Sequence, residues 1–116
     1  MSANTAVRVA VAGHGNDVIN VHFGQADEFT IYDLSTGQAS LIETRAVARY
    51  YQPGECEADK RQVIVRMLAD CRALFAERVG DGPRRLLVQA GIEPVDRYAR
   101  KPVEASLRAW LGGDPV

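Results

Sequence analysis

The chain of 116 residues has very little cysteine, with only Cys56 and Cys71 in the whole sequence. Two thiols cannot supply the four thiolates of an autonomous iron–sulfur site or of an all-cysteine zinc site. A disulfide framework is unnecessary as well, because a chain of this length can bury enough aliphatic side chains to fold without covalent cross-links. Any metal site in this protein must therefore use few protein ligands.

Long apolar runs and basic runs are also missing. The longest apolar candidate, Val7 to Ala12, is interrupted by Arg8, whereas a membrane-spanning helix needs roughly 20 apolar residues. Residues 1–6 have neither a basic start nor an apolar core, so we expect no secretory signal and a cytoplasmic location. With a net charge of -1 and no run of five bases, we expect neither nucleic acid nor a membrane among the partners.

What is present is typical of one folded domain. Hydrophobic residues make up 47% and charged residues 25% of the chain, close to an ordinary globular protein. We expect a single domain at residues 7–111, with flexible termini at 1–6 and 112–116. Twelve of the 14 bases are arginine, which reflects either codon bias or an arginine-lined anion site. Candidates for such contacts are Arg45, Arg49, Arg84 and Arg85.

The spacing of apolar residues, glycines and prolines predicts three strands, then helices alternating with two further strands. The strands are predicted at 7–12, 28–34, 38–45, 72–79 and 92–97, and the helices at about 58–70, at 83–90 and from Pro102 to about 111. Residues 13–24 have no sustained period, which indicates a loop. Hairpins pair antiparallel, and strand–helix–strand units pair parallel. We therefore expect an α/β fold of ribonuclease-H-like type, with a mixed five-stranded sheet flanked by helices.

Ligands of such sheets collect outside the carboxyl ends of the parallel strands. The predicted ends are residues 13–15, 79–82 and 97–98. Both histidines of the chain, His14 and His22, lie in the loop at the first of these ends. Cys56 lies in the loop before the first helix and can reach the same rim of the sheet, the side formed by the carboxyl ends of its parallel strands. This convergence predicts a binding site at the rim.

Each candidate leaves two interpretations open. His22 is either a polar loop residue bonded to the backbone or an imidazole ligand. The same holds for His14, whose flanking glycines leave room for a ligand to approach. Cys56 is either a ligand or a bystander, because its two flanking glutamates disfavour a thiolate. Cys71 falls on the apolar stripe of the first helix and is predicted to be core.

The patterns of common enzymes are absent from the sequence. The start of a dinucleotide fingerprint at Gly13 fails, because Val18 occupies the position of the third glycine. There is no phosphate-binding P-loop and no Gly-x-Ser-x-Gly elbow. A nuclease of this fold needs acidic residues on its central strands to hold two metals, and residues 7–12 contain none. We therefore expect a binding protein and not an enzyme.

Three early segments, VAVA at 9–12, INVHFG at 19–24 and EFTIYD at 28–33, resemble the nitrogenase iron–molybdenum cofactor biosynthesis family. That family includes NifX-type and NafY-type carriers and the C-terminal domain of NifB. RVGDGP at 78–83 and AGIEPV at 90–95 are most similar to the NifB branch. The likeness covers roughly residues 7–111.

The resemblance implies non-catalytic binding of an iron–sulfur cofactor precursor, or of the iron–molybdenum cofactor itself. The cargo would pass between assembly proteins, a cluster synthase and a scaffold. The family's HFG motif is matched at residues 22–24, which implies that His22 is a cluster ligand. By the same resemblance Asn20, Phe23 and Gly24 belong to the cofactor-binding segment. His14 is added to the predicted cofactor-binding residues because of its position in the same loop.

One departure from the NifB branch concerns the second metal ligand. That branch usually has a cysteine directly after the tyrosine matched to Tyr50, and here the position is Tyr51. Either Cys56 replaces the missing thiolate, or thiolate ligation is absent. The alternative function is a regulatory or storage module of the same fold that binds another small anion or metal at the same rim.

Overall fold

A computed structural model describes residues 7–13, 17–35, 38–51, 54 and 59–112. Five strands form one sheet: β1 (Val7–Ala12), β2 (Glu28–Ser35), β3 (Gln38–Ala46), β4 (Ala73–Phe75) and β5 (Glu93–Val95). The helices are α1 (Lys60–Met67), α2 (Asp81–Gln89) and α3 (Val103–Leu111), with 3-10 turns at Phe23–Gln25 and Val47–Tyr50. No helix in these ranges is long and apolar enough to cross a membrane.

The strand order across the sheet is β3-β2-β1-β4-β5. The hairpin β2–β3 and the pair β1–β2 are antiparallel, whereas β1–β4 and β4–β5 are parallel. The predicted mixed five-stranded sheet is confirmed. The carboxyl ends of β1, β4 and β5 therefore lie at the same end of the sheet, the rim, together with the start of β2 and the end of β3.

Helices cover both faces of the sheet and enclose two apolar clusters. On one face, α1 and α2 pack through Ile64 and Leu87 against strand residues such as Ile31. On the other face, α3 packs through Val103 and Leu107. The ring of Trp110 is partly buried there and meets Phe75 edge-on, with 5.7 Å between ring centroids. The predicted stripes of α1 and α3 are thus the faces that contact the sheet.

The fourth and fifth strands are shorter than predicted. The sequence suggested strands over 72–79 and 92–97, but the ladder of β4 with β5 spans only three residue pairs. The N–H of Ala76 still donates to the carbonyl of Val95 on β5 at 3.1 Å, but the chain leaves the sheet directly afterwards. The N–H of Glu77 donates to the carbonyl of Val21 at 2.9 Å and not to a strand.

Two helix starts also differ from the prediction. α1 begins at Lys60, because the side chain of Asp59 accepts a hydrogen bond from the N–H of Arg61 and caps the helix. α2 begins at Asp81, two residues before the predicted start at Pro83. Proline is tolerated there because N–H groups of the first turn have no partner within the helix. Residues 1–6 and 113–116 lie outside the described ranges, so their flexibility stays a prediction.

Candidate functional site

The loop predicted at residues 13–24 is fastened across the carboxyl rim wherever the structure describes it, from Asp17 onward. Its first part is held by residues that precede α3: the N–H of Ile19 donates to the carbonyl of Lys101 at 3.0 Å, and the N–H of Arg100 donates to the carbonyl of Ile19 at 2.7 Å. Its second part pairs with the chain after β4 through a parallel bridge between His22 and Arg78. The loop therefore lies over the ends of β4 and β5.

Buried and exposed residues alternate along this loop. Ile19 and Phe23 are completely buried, and the Phe23 ring packs against that of Phe29 with 6.2 Å between centroids. The intervening Asn20 and His22, and then Gly24, are exposed. Phe23 therefore acts as an apolar anchor in the core, and it presents its polar neighbour to solvent.

The side chain of His22 lies beside one carboxylate. Its Nε2 is 3.9 Å from Oε1 of Glu77, which is too long for a hydrogen bond, and the imidazole is 46% exposed. The other oxygen of Glu77 accepts from Nε of Arg100 at 3.3 Å. Arg100 has a left-handed backbone with φ of 66°, a conformation that costs energy for a residue with a side chain. The imidazole has no hydrogen bond to Glu77 and is half exposed, so His22 can bind a ligand from solvent.

A pocket of about 550 Å³ opens beside this loop, where β1 ends, β2 begins and β3 ends. Half of its eight lining residues have little or no side chain, namely Gly13, Ala26, Ala46 and Ala48. The pocket meets the loop at Val21 and Gln25, and the other two lining residues are Asp27 and Glu28. Small residues leave the backbone accessible to a bulky ligand. The pocket begins at Gly13, directly before the predicted site residue His14.

The charges around the pocket are mixed. Asp27 and Glu28 contribute carboxylates, and Nζ of Lys60 lies 2.9 Å from Oδ1 of Asp27. Arg49 is exposed on the 3-10 turn that includes the pocket residue Ala48. Within the described ranges no ion pair or hydrogen bond engages its guanidinium. Arg49 is therefore the predicted anion-contacting arginine that the fold leaves accessible near the pocket.

The suggestion that Arg45 contacts an anionic ligand is wrong. Arg45 is buried, and its guanidinium makes a two-pronged contact with Asp70 at 2.8 and 2.9 Å. It also binds Glu43 at 2.7 Å and the carbonyl of Met67 at 2.9 Å. Hydrogen bonds from Arg45 hold the pKa of Asp70 well below its usual range. This arginine joins β3 to the end of α1, and because it is buried and already uses four of its five N–H donors inside the protein, it is not available to a ligand.

The last two predicted arginines, Arg84 and Arg85, are also not placed at the pocket. Arg84 donates to Asp96 at 2.5 Å and to the carbonyl of Val79 at 3.2 Å, so it holds α2 to the end of β5. Arg85 is exposed on α2, away from the residues that line the pocket. Arg84 is engaged within the protein, and the geometry gives no reason to place Arg85 at the site.

Of the two cysteines, Cys71 lies in the apolar cluster under α1, as predicted. Burial raises the pKa of its thiol to about 12, and the nearby carboxylate of Asp70 adds to the effect. Cys56 and His14 lie outside the described residues, so their roles stay predictions. Among the residues that the structure does describe, no three of the types His, Cys, Asp and Glu gather closely enough to hold a metal ion.

Sequence patterns alone missed the neighbours of His22. Glu77 and Arg78 were assigned to the interior of a strand, although they follow its end and pair with the loop. The signal that was available is the run of polar residues from Glu77 to Arg78 after the apolar segment 73–76. Arg100 could not have been found this way, since its place depends on the loop that holds it.

Comparison with known proteins shows the family to which the chain belongs. A family model described as dinitrogenase iron-molybdenum cofactor matches residues 5–113. The chain belongs to this iron–molybdenum cofactor biosynthesis family. It is 47% identical over 111 residues to the FeMo cofactor biosynthesis protein NifB of Bradyrhizobium diazoefficiens, a match that covers 96% of this chain.

The family's curated members are longer than this chain. The match spans 22% of that NifB and 46% of the protein NifY of Azotobacter vinelandii, to which the chain is 30% identical over 116 residues, covering 95% of it. The apo form of the orange protein from Desulfovibrio gigas has the same fold, with a TM-score of 0.62 and 20% identity over 98% of this chain and 92% of that one. At this identity the structural likeness establishes the fold only.

Proposed function

We propose that this chain binds a metal–sulfur cluster of iron–molybdenum cofactor assembly, either a precursor or the cofactor itself, without catalysing its chemistry. The cluster is cargo, received from a cluster synthase or scaffold and delivered to another assembly protein. Membership of the family supports the pathway, as does the name of the relative at 47% identity, a FeMo cofactor biosynthesis protein. The binding site is the rim pocket together with His22.

The position of His22 carries this proposal. Its backbone is fixed by the bridge to Arg78, and its neighbour Phe23 is anchored in the core. Its imidazole is nevertheless half exposed and close in the chain to Val21, which lines the pocket. A rigid backbone with an accessible imidazole favours a ligand role over a structural one. Imidazole is a suitable ligand for iron in a sulfide-rich cluster.

The small number of available ligands fits a carrier. A cluster that must be released cannot be enclosed by four strong protein ligands, because dissociation would then be slow. His22 supplies one ligand, and Cys56 is the candidate for a second. The open pocket beside the loop, half of whose lining residues are glycine or alanine, can shield one side of a cluster and leave the other side for a partner protein.

The electrostatics of the rim allow an anionic cargo. Lys60 offsets the carboxylate of Asp27, and Glu77 is offset by Arg100. The guanidinium of Arg49 then adds an uncommitted positive charge on the turn next to Ala48. Charge-assisted contacts of this kind are stronger than those between neutral groups. The cargo would be held by one or two coordinate bonds and by this charge, not by a closed cage.

The strand order supports a finer assignment of the fold. An antiparallel hairpin continued by three parallel strands, in the order β3-β2-β1-β4-β5, is the arrangement expected for the ribonuclease-H-like type. The strand β1 at its centre carries no carboxylate, so the metal-dependent nuclease chemistry available to this architecture has no acidic ligands here. This supports binding and not hydrolysis.

Anaerobic titration tests the proposal. The protein is mixed with isolated iron–molybdenum cofactor, and binding is followed by visible absorbance and by co-elution of iron and molybdenum. We expect one cluster per chain, unaffected by an excess of phosphate or of zinc. Absence of cofactor binding together with saturable binding of phosphate or zinc would replace the proposal with the storage or regulatory alternative.

A further inference from the structure

The two edges of the sheet differ sharply in their capacity to pair with another strand. The edge strand β5 is three residues long and contains Pro94, which has no N–H to donate. The opposite edge strand, β3, is nine residues long and contains no proline, glycine or lysine. Short strands, proline and lysine are the usual means by which a sheet edge avoids pairing. By this criterion β5 is protected. β3 lacks these three features, although it carries a bulge and the inward-facing charge of Arg45, which also disfavour pairing.

The middle of β3 is also apolar and exposed. Leu41 is 58% exposed and Ile42 is 44% exposed, and they are two of the four large apolar side chains exposed among the residues that the structure describes. Ile42 is the extra residue of a bulge, since the neighbours Ile31 and Tyr32 on β2 pair with Glu43 and Leu41. The edge therefore presents two adjacent apolar side chains. Among the described residues, backbone hydrogen bonds join β3 to β2 and to no other strand.

No unbalanced charge on β3 would repel a second copy. Its only charged side chains are those of Glu43 and Arg45, and they bind each other at 2.7 Å. Arg45 is committed further to Asp70. An edge whose charges are balanced within the chain does not select a strongly charged partner, and it can pair with a second copy of itself without charge repulsion.

We propose that β3 is an interface between two copies of this chain, which pair antiparallel about a two-fold axis to form a ten-stranded sheet. In the register that places Leu41 of each copy opposite Ile42 of the other, Ser40 faces Glu43, Ala39 faces Thr44 and Gln38 faces Arg45. No like charges oppose each other in this register. A two-fold contact of this kind uses the same patch on both subunits.

The proposal has two physical consequences. Because the strands run antiparallel, the two rim pockets lie at opposite edges of the joined sheet, and dimerisation leaves both open. The bulge twists β3 locally and shortens the stretch that can pair. A contact made mainly by one strand is small, and interfaces below about 1,200 Å² are typically transient. The dimer therefore forms reversibly, with a population that rises with protein concentration.

Sedimentation equilibrium over a wide concentration range tests the interface. We expect the mass of the full chain to rise from 12.7 kDa towards twice that value. Ile42→Lys places a charge at the axis and should remain monomeric at every concentration. Val88→Lys is the matched control, because Val88 is 60% exposed on α2 and its variant should dimerise as the wild type does. Both variants are checked for an unchanged thermal transition.

A second readout does not depend on a variant folding. In the wild type, amide hydrogens of β3 that exchange freely in dilute solution should exchange more slowly at high concentration, whereas those of β5 should not change. A wild type that remains at 12.7 kDa throughout would overturn the proposal. So would an Ile42→Lys variant that dimerises normally, or concentration-dependent protection that spares β3.

Discussion

His22 and Arg78 form an isolated parallel bridge at the end of β4, with the N–H of Phe23 donating to the carbonyl of Arg78 at 3.0 Å. This bridge joins the long loop after β1 to the rim of the sheet. It holds the backbone of a half-exposed histidine next to a pocket, while the side chain itself stays accessible. A ligand can therefore bind without a large rearrangement of the loop.

Thiol labelling separates the two cysteines. Cys71 is 3% exposed, and burial raises its pKa to about 12, so a thiol reagent should modify it only when the protein unfolds. In native protein we expect one rapidly labelled thiol, that of Cys56, and a second only in denaturant. Peptide mass analysis identifies the labelled residue. Rapid native labelling of Cys71 would contradict its place in the core.

The same experiment decides between the two roles of Cys56. If its thiolate coordinates the cargo, bound cluster should protect it from the reagent, and alkylated protein should bind cofactor more weakly. Equal binding by alkylated and untreated protein would make Cys56 a bystander and leave His22 with another partner, of which His14 is the nearest in the sequence.

The ion pair between Arg45 and Asp70 predicts a contribution to stability that depends on pH. The pKa of Asp70 is lowered in the folded state from its unfolded value of about 3.9. Its stabilisation is therefore complete above that value and is lost as the pH falls through the lower folded pKa. Asp70→Asn should lower the free energy of unfolding at neutral pH by about 1–3 kcal/mol. The lower end of this range is expected, because the side chain is 45% exposed and solvent weakens the ion pair.

Denaturant unfolding between neutral and acidic pH measures this difference, which should shrink as the pH falls. Glu104→Gln is the control, because the ion pair of Glu104 with Arg108 at 3.8 Å is exposed and its loss should cost less than about 0.5 kcal/mol. An Asp70→Asn variant as stable as the wild type would show that Glu43 and Met67 are sufficient partners for Arg45.

Two glycines give a matched pair of alanine variants. Gly91 has φ of 81° at the end of α2, where a side chain is strained, so Gly91→Ala should cost about 1–2 kcal/mol. Gly24 has no such backbone and nothing within 4 Å of an added Cβ, so Gly24→Ala should change stability by less than about 0.5 kcal/mol. Thermal unfolding compares the two.

The Gly24→Ala variant then tests the pocket edge. Since it retains the fold, any loss of cofactor affinity reports contact between cargo and the loop backbone. We expect weaker binding of isolated cofactor. Unchanged affinity would place the cargo away from the 3-10 turn at Phe23–Gln25.

The sequence predicted the sheet and the helix faces well, because both follow from local spacing. The stripe at Ile64, Met67 and Leu68 repeats with the helical period, and all three side chains are buried. The end of β4 was wrong because its limit is set by pairing with a loop distant in the chain. The role of Arg45 was wrong for a related reason, since its partner Asp70 is 25 residues away. Composition shows that an arginine is present but not which acid it meets.

The dissociation constant of isolated iron–molybdenum cofactor for His22→Ala, measured under anaerobic conditions, shows whether His22 ligates the cargo. Gln89→Ala, an exposed change at the far end of α2, is the control. We expect Gln89→Ala to bind as the wild type does. Removal of a ligand should weaken binding at least as much as the roughly 10–100-fold loss seen for groups that only orient ligands. A His22→Ala protein that is folded and binds cofactor with wild-type affinity would contradict the account.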